Sequence, residues 1–237
     1  MAGRLALVGS GEYLPVLSEV EDWLFADNAR VYVQLATAAA PEGDDRLGYW
    51  HDLGHQAAER VGADQVIVDI RTRDDANDER WIPLIESAGL IYLSGGNPTF
   101  LAQTLRGTPA WDAIRRTWER GAGLAGCSAG AMVMGGSIQH FRRPGAAPVE
   151  GLGVVPDARI LPHFDRYTRW LPDMALRPFV SHGGTVLGID EDTALVAADP
   201  GDGTAWSFNV RGRQDAYLVT RDGAQSVRDG IDLVVHA

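Results

Sequence analysis

A serine in a glycine-rich pentapeptide has the clearest chemical potential in this chain. Residues 126–130 read Gly-Cys-Ser-Ala-Gly, the G-x-S-x-G pattern of a nucleophile elbow between a strand and a helix. Apolar residues precede and follow it, as that setting requires. The neighbours two before and two after the serine must be small, and Gly126 and Gly130 satisfy this. The motif predicts Ser128 as an acyl-transfer nucleophile; the alternative is a turn that only packs a helix against a strand.

A second glycine turn is positioned to stabilise the negative charge that acyl transfer develops on the carbonyl oxygen. Residues 94–97 read Ser-Gly-Gly-Asn, directly after the apolar run Leu90–Leu93. Parallel α/β sheets bind ligands at the carboxyl ends of their strands. Exposed N–H groups of this turn, together with the N–H of Ala129, are therefore candidates for an oxyanion hole. The alternative is an ordinary strand-to-helix turn in which Asn97 caps the helix.

A serine nucleophile needs a base, and the chain has six histidines. His163 follows a short apolar run that ends at Leu161, so it is expected at a strand end, within reach of a nucleophile on a neighbouring strand. His140, after the elbow helix, and His182, in a loop, are alternatives. The other histidines are expected to be surface, packing or terminal residues: His51, His55 and His236.

The acid that would orient the base is less clear. Residues 188–193 read Gly-Ile-Asp-Glu-Asp-Thr and place three carboxylates at the end of another predicted strand. Such a cluster either serves the base or forms a solvated turn, and the sequence leaves both open. Glu150 and Asp157 are weaker candidates for the same role.

Composition excludes several other classes of function. The net charge of −11 repels phosphate backbones, so we expect no nucleic-acid partner. All 21 basic residues are arginines, which excludes the lysine-dependent Schiff-base and P-loop chemistries. Neither a metal-ligand spacing nor an apolar run of membrane length is present, so we expect no metal, no cofactor and no membrane partner. The single cysteine, Cys127, cannot form an internal disulfide, which favours a cytoplasmic protein.

The pattern of apolar runs predicts the elements that hold these residues. Buried strands and amphipathic helices alternate in the first half, which favours an α/β fold with a mostly parallel sheet between helices. Short strands close together follow Gly151 and predict C-terminal β-hairpins, in a single domain of residues 1–237. The predicted strands are Leu5–Val8, Val31–Leu35, Gln65–Ile70, Leu90–Leu93, Thr185–Ile189, Thr193–Ala197, Thr204–Val210 and Ala216–Thr220. The predicted helices are Leu14–Phe25, Asp45–Val61, Asp75–Ser87 and a helix capped by Thr108 that ends at Gly121.

Four of these segments, in this order, resemble serine peptidase family S51, which holds aspartyl dipeptidase (peptidase E) and cyanophycinase. They are residues 94–97, 126–131, 161–164 and 188–194. The resemblance implies a flavodoxin-like three-layer sandwich similar to class I glutamine amidotransferases. It also implies a triad of Ser128, His163 and Glu191, with Gly96 and Ala129 as the oxyanion hole. In peptidase E the acid comes from between the serine and the histidine, so Glu150 and Asp157 stay open.

The resemblance also implies a substrate class. It favours an exopeptidase like aspartyl dipeptidase, acting on small peptides or amides, with substrate contacts from Asn97, Arg166 and Arg169. Arg142 and Arg143 are alternative cations. A cyanophycinase-like peptidase of other specificity is the second hypothesis, and we leave a homodimer open.

Two further enzymes and one non-enzyme compete with this interpretation. An α/β-hydrolase esterase would use Ser128, an acid near Asp190 and His236, but the chain has no His-Gly-Gly loop before the elbow. A glutaminase needs a cysteine where Ser128 stands. An inactive ligand-binding module on the same fold is the third alternative.

Overall fold

Strands and helices alternate along the first half of the chain, as the apolar runs predict. The computed structural model describes residues 2–139, 147–168, 176–180, 183–198, 205–227 and 233–236. The strands are β1 Leu5–Val8, β2 Val31–Leu35, β3 Asp64–Ile67, β4 Leu90–Leu93, β5 Gly123–Cys127, β6 Ser137–Ile138, β7 Val149–Glu150, β8 Ala158–Leu161, β9 Thr185–Ile189, β10 Thr193–Ala197, β11 Ala205–Gly212, β12 Ala216–Thr220, β13 Gly223–Val227 and β14 Leu233–His236. The α-helices are α1 Ser18–Phe25, α2 Asp44–Arg60, α3 Arg73–Ala76, α4 Ile82–Glu86, α5 Pro98–Leu105, α6 Pro109–Glu119, α7 Ala129–Met134, α8 Phe164–Thr168 and α9 Arg177–Val180.

Eight strands form the large sheet, in the order β14-β11-β10-β1-β5-β4-β2-β3. The pairs among β1, β5, β4, β2 and β3 are parallel, and β10, β11 and β14 extend the sheet with antiparallel pairs. Alternate residues of a strand enter opposite cores: Ile91 and Leu93 pack on one face of the sheet and Leu90 and Tyr92 on the other. Helices cover both faces, which confirms the predicted α/β class with a mostly parallel sheet.

Four strands form the small sheet, in the order β13-β12-β9-β8, with β8 and β9 parallel. The predicted C-terminal hairpins include the antiparallel pair β12 and β13, but β9 and β10 do not pair with each other. Only three residues separate the two strands, yet β9 pairs with β8 and β12, whereas β10 pairs with β1 and β11. Both strands are almost wholly buried, so each needs hydrogen-bonded neighbours on both edges. The connection of residues 190–192 therefore passes from one sheet to the other.

The helices differ from their predicted limits mainly where local caps interrupt them. The single helix expected over Asp75–Ser87 is wrong: Thr72 caps α3, Asp78 begins a 3₁₀ turn and α4 starts at Ile82. The predicted helix Leu14–Phe25 begins as a 3₁₀ turn at Pro15–Leu17, and β3 ends at Ile67 rather than Ile70.

The helix predicted after Thr108 is present with the expected cap. The Thr108 hydroxyl accepts the Trp111 N–H at 3.3 Å, and Trp111, Ile114 and Trp118 share the buried face. Gly121 follows the helix with φ of +116°, a conformation that favours glycine. Across the described ranges, no helix has the length and hydrophobicity needed to cross a membrane.

Candidate active site

Ser128 occupies a strained elbow at the end of β5. Its φ of +50° and ψ of −109° are unfavourable for a residue with a side chain, and α7 begins at the next residue. The glycines on both sides are required sterically. A Cβ on Gly126 would lie 2.4 Å from the Gly130 carbonyl carbon, and a Cβ on Gly130 would lie 2.1 Å from the Leu93 oxygen. The elbow predicted from residues 126–130 is therefore present, with the serine at its apex.

His163 and Glu191 complete a hydrogen-bonded chain that starts at Ser128. The Ser128 Oγ lies 3.0 Å from His163 Nε2, and His163 Nδ1 lies 2.8 Å from Glu191 Oε1. His163 also has positive φ, +51°, at the sharp turn from β8 into α8. Backbone strain of this kind is common at functional sites. A nucleophile, a base and an orienting acid at these distances are what acyl transfer requires.

These side chains meet because strand ends from both sheets converge. The Ser128 N–H donates to Val8 O at 3.0 Å, and the Gly9 N–H donates to Thr193 O at 2.9 Å, so β5, β1 and β10 are in register at this edge. In the small sheet the parallel strands β8 and β9 pair Leu161 with Gly188. His163 and Glu191 therefore follow the carboxyl ends of neighbouring strands, at the same edge of the sheet. The connection between the sheets thus carries Glu191 to His163.

Three neighbours hold Glu191 in place. Its backbone N–H donates to Asp165 at 3.1 Å, and its carbonyl accepts the Gln214 side chain at 2.9 Å. Arg166 Nε lies 2.8 Å from Glu191 Oε1, the oxygen that His163 also contacts. The Arg166 side chain is 69% exposed and the Glu191 side chain 21%, so this ion pair lies at the mouth of the site.

The predicted oxyanion donors lie at the adjacent strand ends. Gly96 has φ of +138°, and a Cβ there would lie 2.4 Å from Ala38 O, so only glycine fits. Ala129 is the first residue of α7, where an N–H has no acceptor within the helix. In the described part of the chain, neither N–H has a backbone acceptor. The Asn97 Oδ1 accepts the Phe100 N–H at 3.1 Å and so caps α5, as its alternative assignment proposed.

The other candidates for base and acid lie apart from Ser128 or outside the described residues. Glu150 pairs with Arg106 at 2.9 Å, and Asp157 approaches Thr185, so the described contacts of both acids are elsewhere. His51 and His55 are on α2, and His236 ends β14 at the far edge of the large sheet, four strands from β5. The remaining candidates are outside the described residues: His140, Arg142, Arg143, Arg169 and His182.

Glu12 is a site residue that the sequence reasoning missed. It follows the glycine turn after β1 and is only 8% exposed. Its Oε2 accepts a hydrogen bond from the Cys127 thiol at 2.8 Å. Burial, and then the neighbouring Glu12 charge, raise the pKa of Cys127 well above its ordinary value. A thiol held protonated is a poor nucleophile, which favours Ser128 over Cys127 as the candidate nucleophile of the elbow. The signal available was an acid at the carboxyl end of the first parallel strand.

Asp190, next to Glu191, is buried on the small-sheet side. It is 4% exposed, and burial is the largest cause that raises its pKa from 3.8 to about 6; the nearby Asp165 charge acts in the same direction. Its Oδ2 accepts the Tyr217 hydroxyl at 3.3 Å. Within the described residues, no cluster of three or more metal-ligating side chains is found.

Comparison with known proteins decides the family. A sequence model described as Peptidase family S51 matches residues 8–201, most of the chain. The chain belongs to peptidase family S51. The family predicted from the four motifs is thus confirmed, and its description as a peptidase family agrees with the predicted class of enzyme.

Relatives within family S51 include cyanophycinases. The cyanophycinase of Trichormus variabilis is 33% identical over 150 residues, which are 58% of this chain and 49% of that protein. The cyanophycinase of Synechococcus elongatus is 31% identical over 194 residues, 77% of this chain and 56% of that protein. This S51 chain therefore spans about half the length of the cyanophycinases that it matches.

Solved structures of similar fold cover nearly the whole S51 chain. A peptidase from an acI-B1 Actinobacterium has a TM-score of 0.87 and 37% identity, over 98% of this chain and 97% of that one. A putative peptidase E from Listeria monocytogenes EGD-e has a TM-score of 0.65 and 20% identity, over 90% of this chain and all of that one. The second likeness concerns the fold alone.

Proposed function

We propose that this S51 protein is a serine exopeptidase that cleaves dipeptides with an N-terminal aspartate, using Ser128, His163 and Glu191 as its catalytic triad. One observation carries the proposal: Ser128 Oγ, both ring nitrogens of His163 and Glu191 Oε1 form a continuous chain with spacings of 3.0 and 2.8 Å. The N–H groups of Gly96 and Ala129, which have no backbone acceptor among the described residues, support the same reaction.

In the first half of the reaction, Ser128 Oγ attacks the scissile carbonyl carbon and its proton passes to His163 Nε2. Glu191 accepts the Nδ1–H of the ring and stabilises the imidazolium. The N–H groups of Gly96 and Ala129 hold the oxyanion. The carbon–nitrogen bond then breaks, His163 gives its proton to the leaving amine, and the N-terminal residue remains as an ester on Ser128.

In the second half, water attacks this ester and gives a proton to His163 Nε2. A second tetrahedral intermediate collapses as the bond to Ser128 Oγ breaks. The proton returns to the serine, and the released residue leaves as a carboxylate.

Recognition of an aspartate side chain requires a cation near the triad. Arg166 fits this role in position: its Nε contacts Glu191, while most of its side chain is exposed at the mouth of the site. We propose substrate contacts for Arg166, Arg169 and Asn97, a small peptide or amide as substrate and no cofactor. A cytoplasmic protein and a homodimer remain sequence predictions.

Cyanophycinase-like specificity is the second candidate, and the sequence identity of 33% and 31% to two cyanophycinases favours it. Against it, cyanophycinases resemble one another in a glutamine just after the glycine turn, and this chain has Pro98 near that position. Cyanophycin, the polymer that the name of these relatives implies, is therefore included as a test substrate.

Hydrolysis of Asp-Leu and Asp-p-nitroanilide by the wild-type protein tests the proposal, with Ala-, Leu- and Arg-anilides as comparison substrates. Ser128→Ala should lower kcat/KM by about 10³-fold or more. Ser87→Ala, at the exposed end of α4, is the matched control and should leave it unchanged. A serine-directed phosphonate should add its mass at Ser128 alone. Absence of cleavage of every aspartyl substrate by folded protein would overturn the proposal, and selective cleavage of cyanophycin would favour the second candidate.

A further inference from the structure

The carboxylate of Glu12 lies beside the nucleophile, on the floor of the site. The position that a Cβ on Gly95 would take is 2.6 Å from Glu12 Oε1 and 3.5 Å from Ser128 Cβ. Glu12 and Ser128 therefore face the same small space, which the missing side chain of Gly95 leaves open. The proposed oxyanion donor Gly96 is the next residue along the chain.

The loop that carries Glu12 is held firmly in this place. Gly11 and Tyr13, on either side of Glu12, have φ of +83° and +63°. The buried Tyr13 hydroxyl lies 2.6 Å from Ser94 Oγ, which joins the loop to the glycine turn of the oxyanion hole. Burial and the hydrogen bond from Cys127 then fix the side chain of Glu12 on this loop.

The charge of Glu12 lacks a cation in the described structure. The carboxylate is 8% exposed, and its hydrogen bond comes from a neutral thiol, which is a weak donor. None of the arginines and histidines that the structure describes forms an ion pair with it. A buried carboxylate is costly unless a positive group or several hydrogen bonds compensate it. A substrate that brings a cation to this point would be bound by that compensation.

We infer that Glu12 is a specificity-determining residue whose carboxylate binds the free α-ammonium group of the substrate. The inference rests on the proposed function, because an exopeptidase substrate carries this ammonium one carbon away from the carbonyl that Ser128 attacks. A peptide with a blocked or internal amine leaves Glu12 unpaired. The buried charge thereby favours cleavage of the peptide bond that follows the N-terminal residue. It disfavours cleavage of internal peptide bonds in longer chains.

A matched substrate pair isolates the amine. Asp-Leu and succinyl-leucine have the same skeleton, and succinyl-leucine lacks only the α-amino group. The wild-type protein should prefer Asp-Leu by about 100-fold or more in kcat/KM, since losing one partner of a buried charge pair is expensive. Glu12→Gln keeps an oxygen for the Cys127 thiol and removes the charge. It should lower kcat/KM for Asp-Leu by about 100-fold while the inhibition constant of succinyl-leucine changes less than about 3-fold. Glu19→Gln, the same charge change at an exposed position of α1, should change neither value.

Each outcome separates the inference from the proposed function. Equal cleavage of the two compounds by wild-type protein would overturn the inference, even if Glu12→Gln failed to fold. An equal loss of Asp-Leu hydrolysis and of succinyl-leucine binding in Glu12→Gln would show a merely structural role and would also overturn it. In both cases hydrolysis that depends on Ser128 would leave the proposed function standing. Absence of hydrolysis that depends on Ser128 would overturn both.

Discussion

Around Ser128 the large sheet contributes mainly backbone, whereas the small sheet and its connection contribute ionisable side chains. On the first side, the backbone packs so closely at Gly96, Gly126 and Gly130 that a Cβ would clash with neighbouring backbone atoms. The candidate oxyanion donors on this side are backbone N–H groups. On the second, His163 and Glu191 are held by side-chain hydrogen bonds and are 30% and 21% exposed. The first side is thus constrained sterically and the second electrostatically. Substitutions should therefore damage folding on one side and activity or pH response on the other.

The largest effect is expected from Gly130→Ala on the large-sheet side. The new Cβ would lie 2.1 Å from the Leu93 carbonyl oxygen, and a backbone atom of a buried strand cannot move away easily. We expect a loss of stability of about 3 kcal/mol or more, together with loss of activity. Denaturant unfolding followed by circular dichroism measures it.

Gly48→Ala is the control for this substitution. Nothing lies within 4 Å of a Cβ at Gly48, which is inside α2, so alanine should stabilise the protein by about 0.5–1 kcal/mol. A stable, active Gly130→Ala protein would contradict the steric account of the elbow.

Glu191→Gln tests the electrostatic side. The amide keeps the shape of the carboxylate but cannot stabilise an imidazolium at His163. We expect kcat to fall about 10³- to 10⁴-fold, with stability changed by less than about 1 kcal/mol. Steady-state kinetics and thermal melting separate the two effects. Asp192→Asn, one residue away, should keep full activity; if it lost as much as Glu191→Gln, the acid would be misassigned.

Asp190→Asn should alter the pH dependence of stability. Because the pKa of Asp190 is raised to about 6, the folded protein holds this proton more tightly than the unfolded chain. Stability is therefore lost as pH rises from about 3.8 to about 6. Asparagine removes that penalty, so the variant should gain about 1–3 kcal/mol at pH 8 and much less at pH 4. Melting curves of wild type, this variant and the exposed-turn control Asp222→Asn measure it, and an equal gain at both pH values would refute the electrostatic cause.

The smallest effect is expected from Arg166→Gln. Its side chain is mostly exposed, so its charge interactions are screened by water. We expect KM for Asp-Leu to rise about 5- to 10-fold and KM for Ala-Leu to stay the same, as an exposed contact to the substrate carboxylate predicts. An equal fall of kcat with both dipeptides would instead assign Arg166 to holding Glu191.

The sequence predicted the steric side of the site closely because its requirements are local. The pentapeptide at 126–130 contains both glycines that the elbow needs, and the strand before Ser94 was predicted with its observed limits. The side-chain partners were less certain because their contacts join residues far apart in the chain. The sequence leaves His140 and His182 as alternatives to His163, and Glu150 and Asp157 as alternatives to Glu191. The hydrogen bond between Glu191 and the imidazole is visible only in the structure.

The sequence does not predict how the strands on either side of residues 190–192 are divided between the two sheets. A three-residue link between two strands suggests a hairpin, and local sequence does not reveal that β9 and β10 have different neighbours. The contact of Glu12 with Cys127 was missed for the same reason, since the loop after β1 and the elbow are more than one hundred residues apart. The single domain of residues 1–237 remains a prediction.

The protonated, buried Cys127 has a practical consequence for spectroscopy. It is the single cysteine of the chain and has no exposed surface, so maleimide reagents should leave the folded protein unmarked. A cysteine introduced at any exposed position would then be the sole reactive thiol. Two such cysteines, one on each sheet, could carry fluorescent or spin labels without first removing the native residue, and the distance between the labels could be followed during turnover.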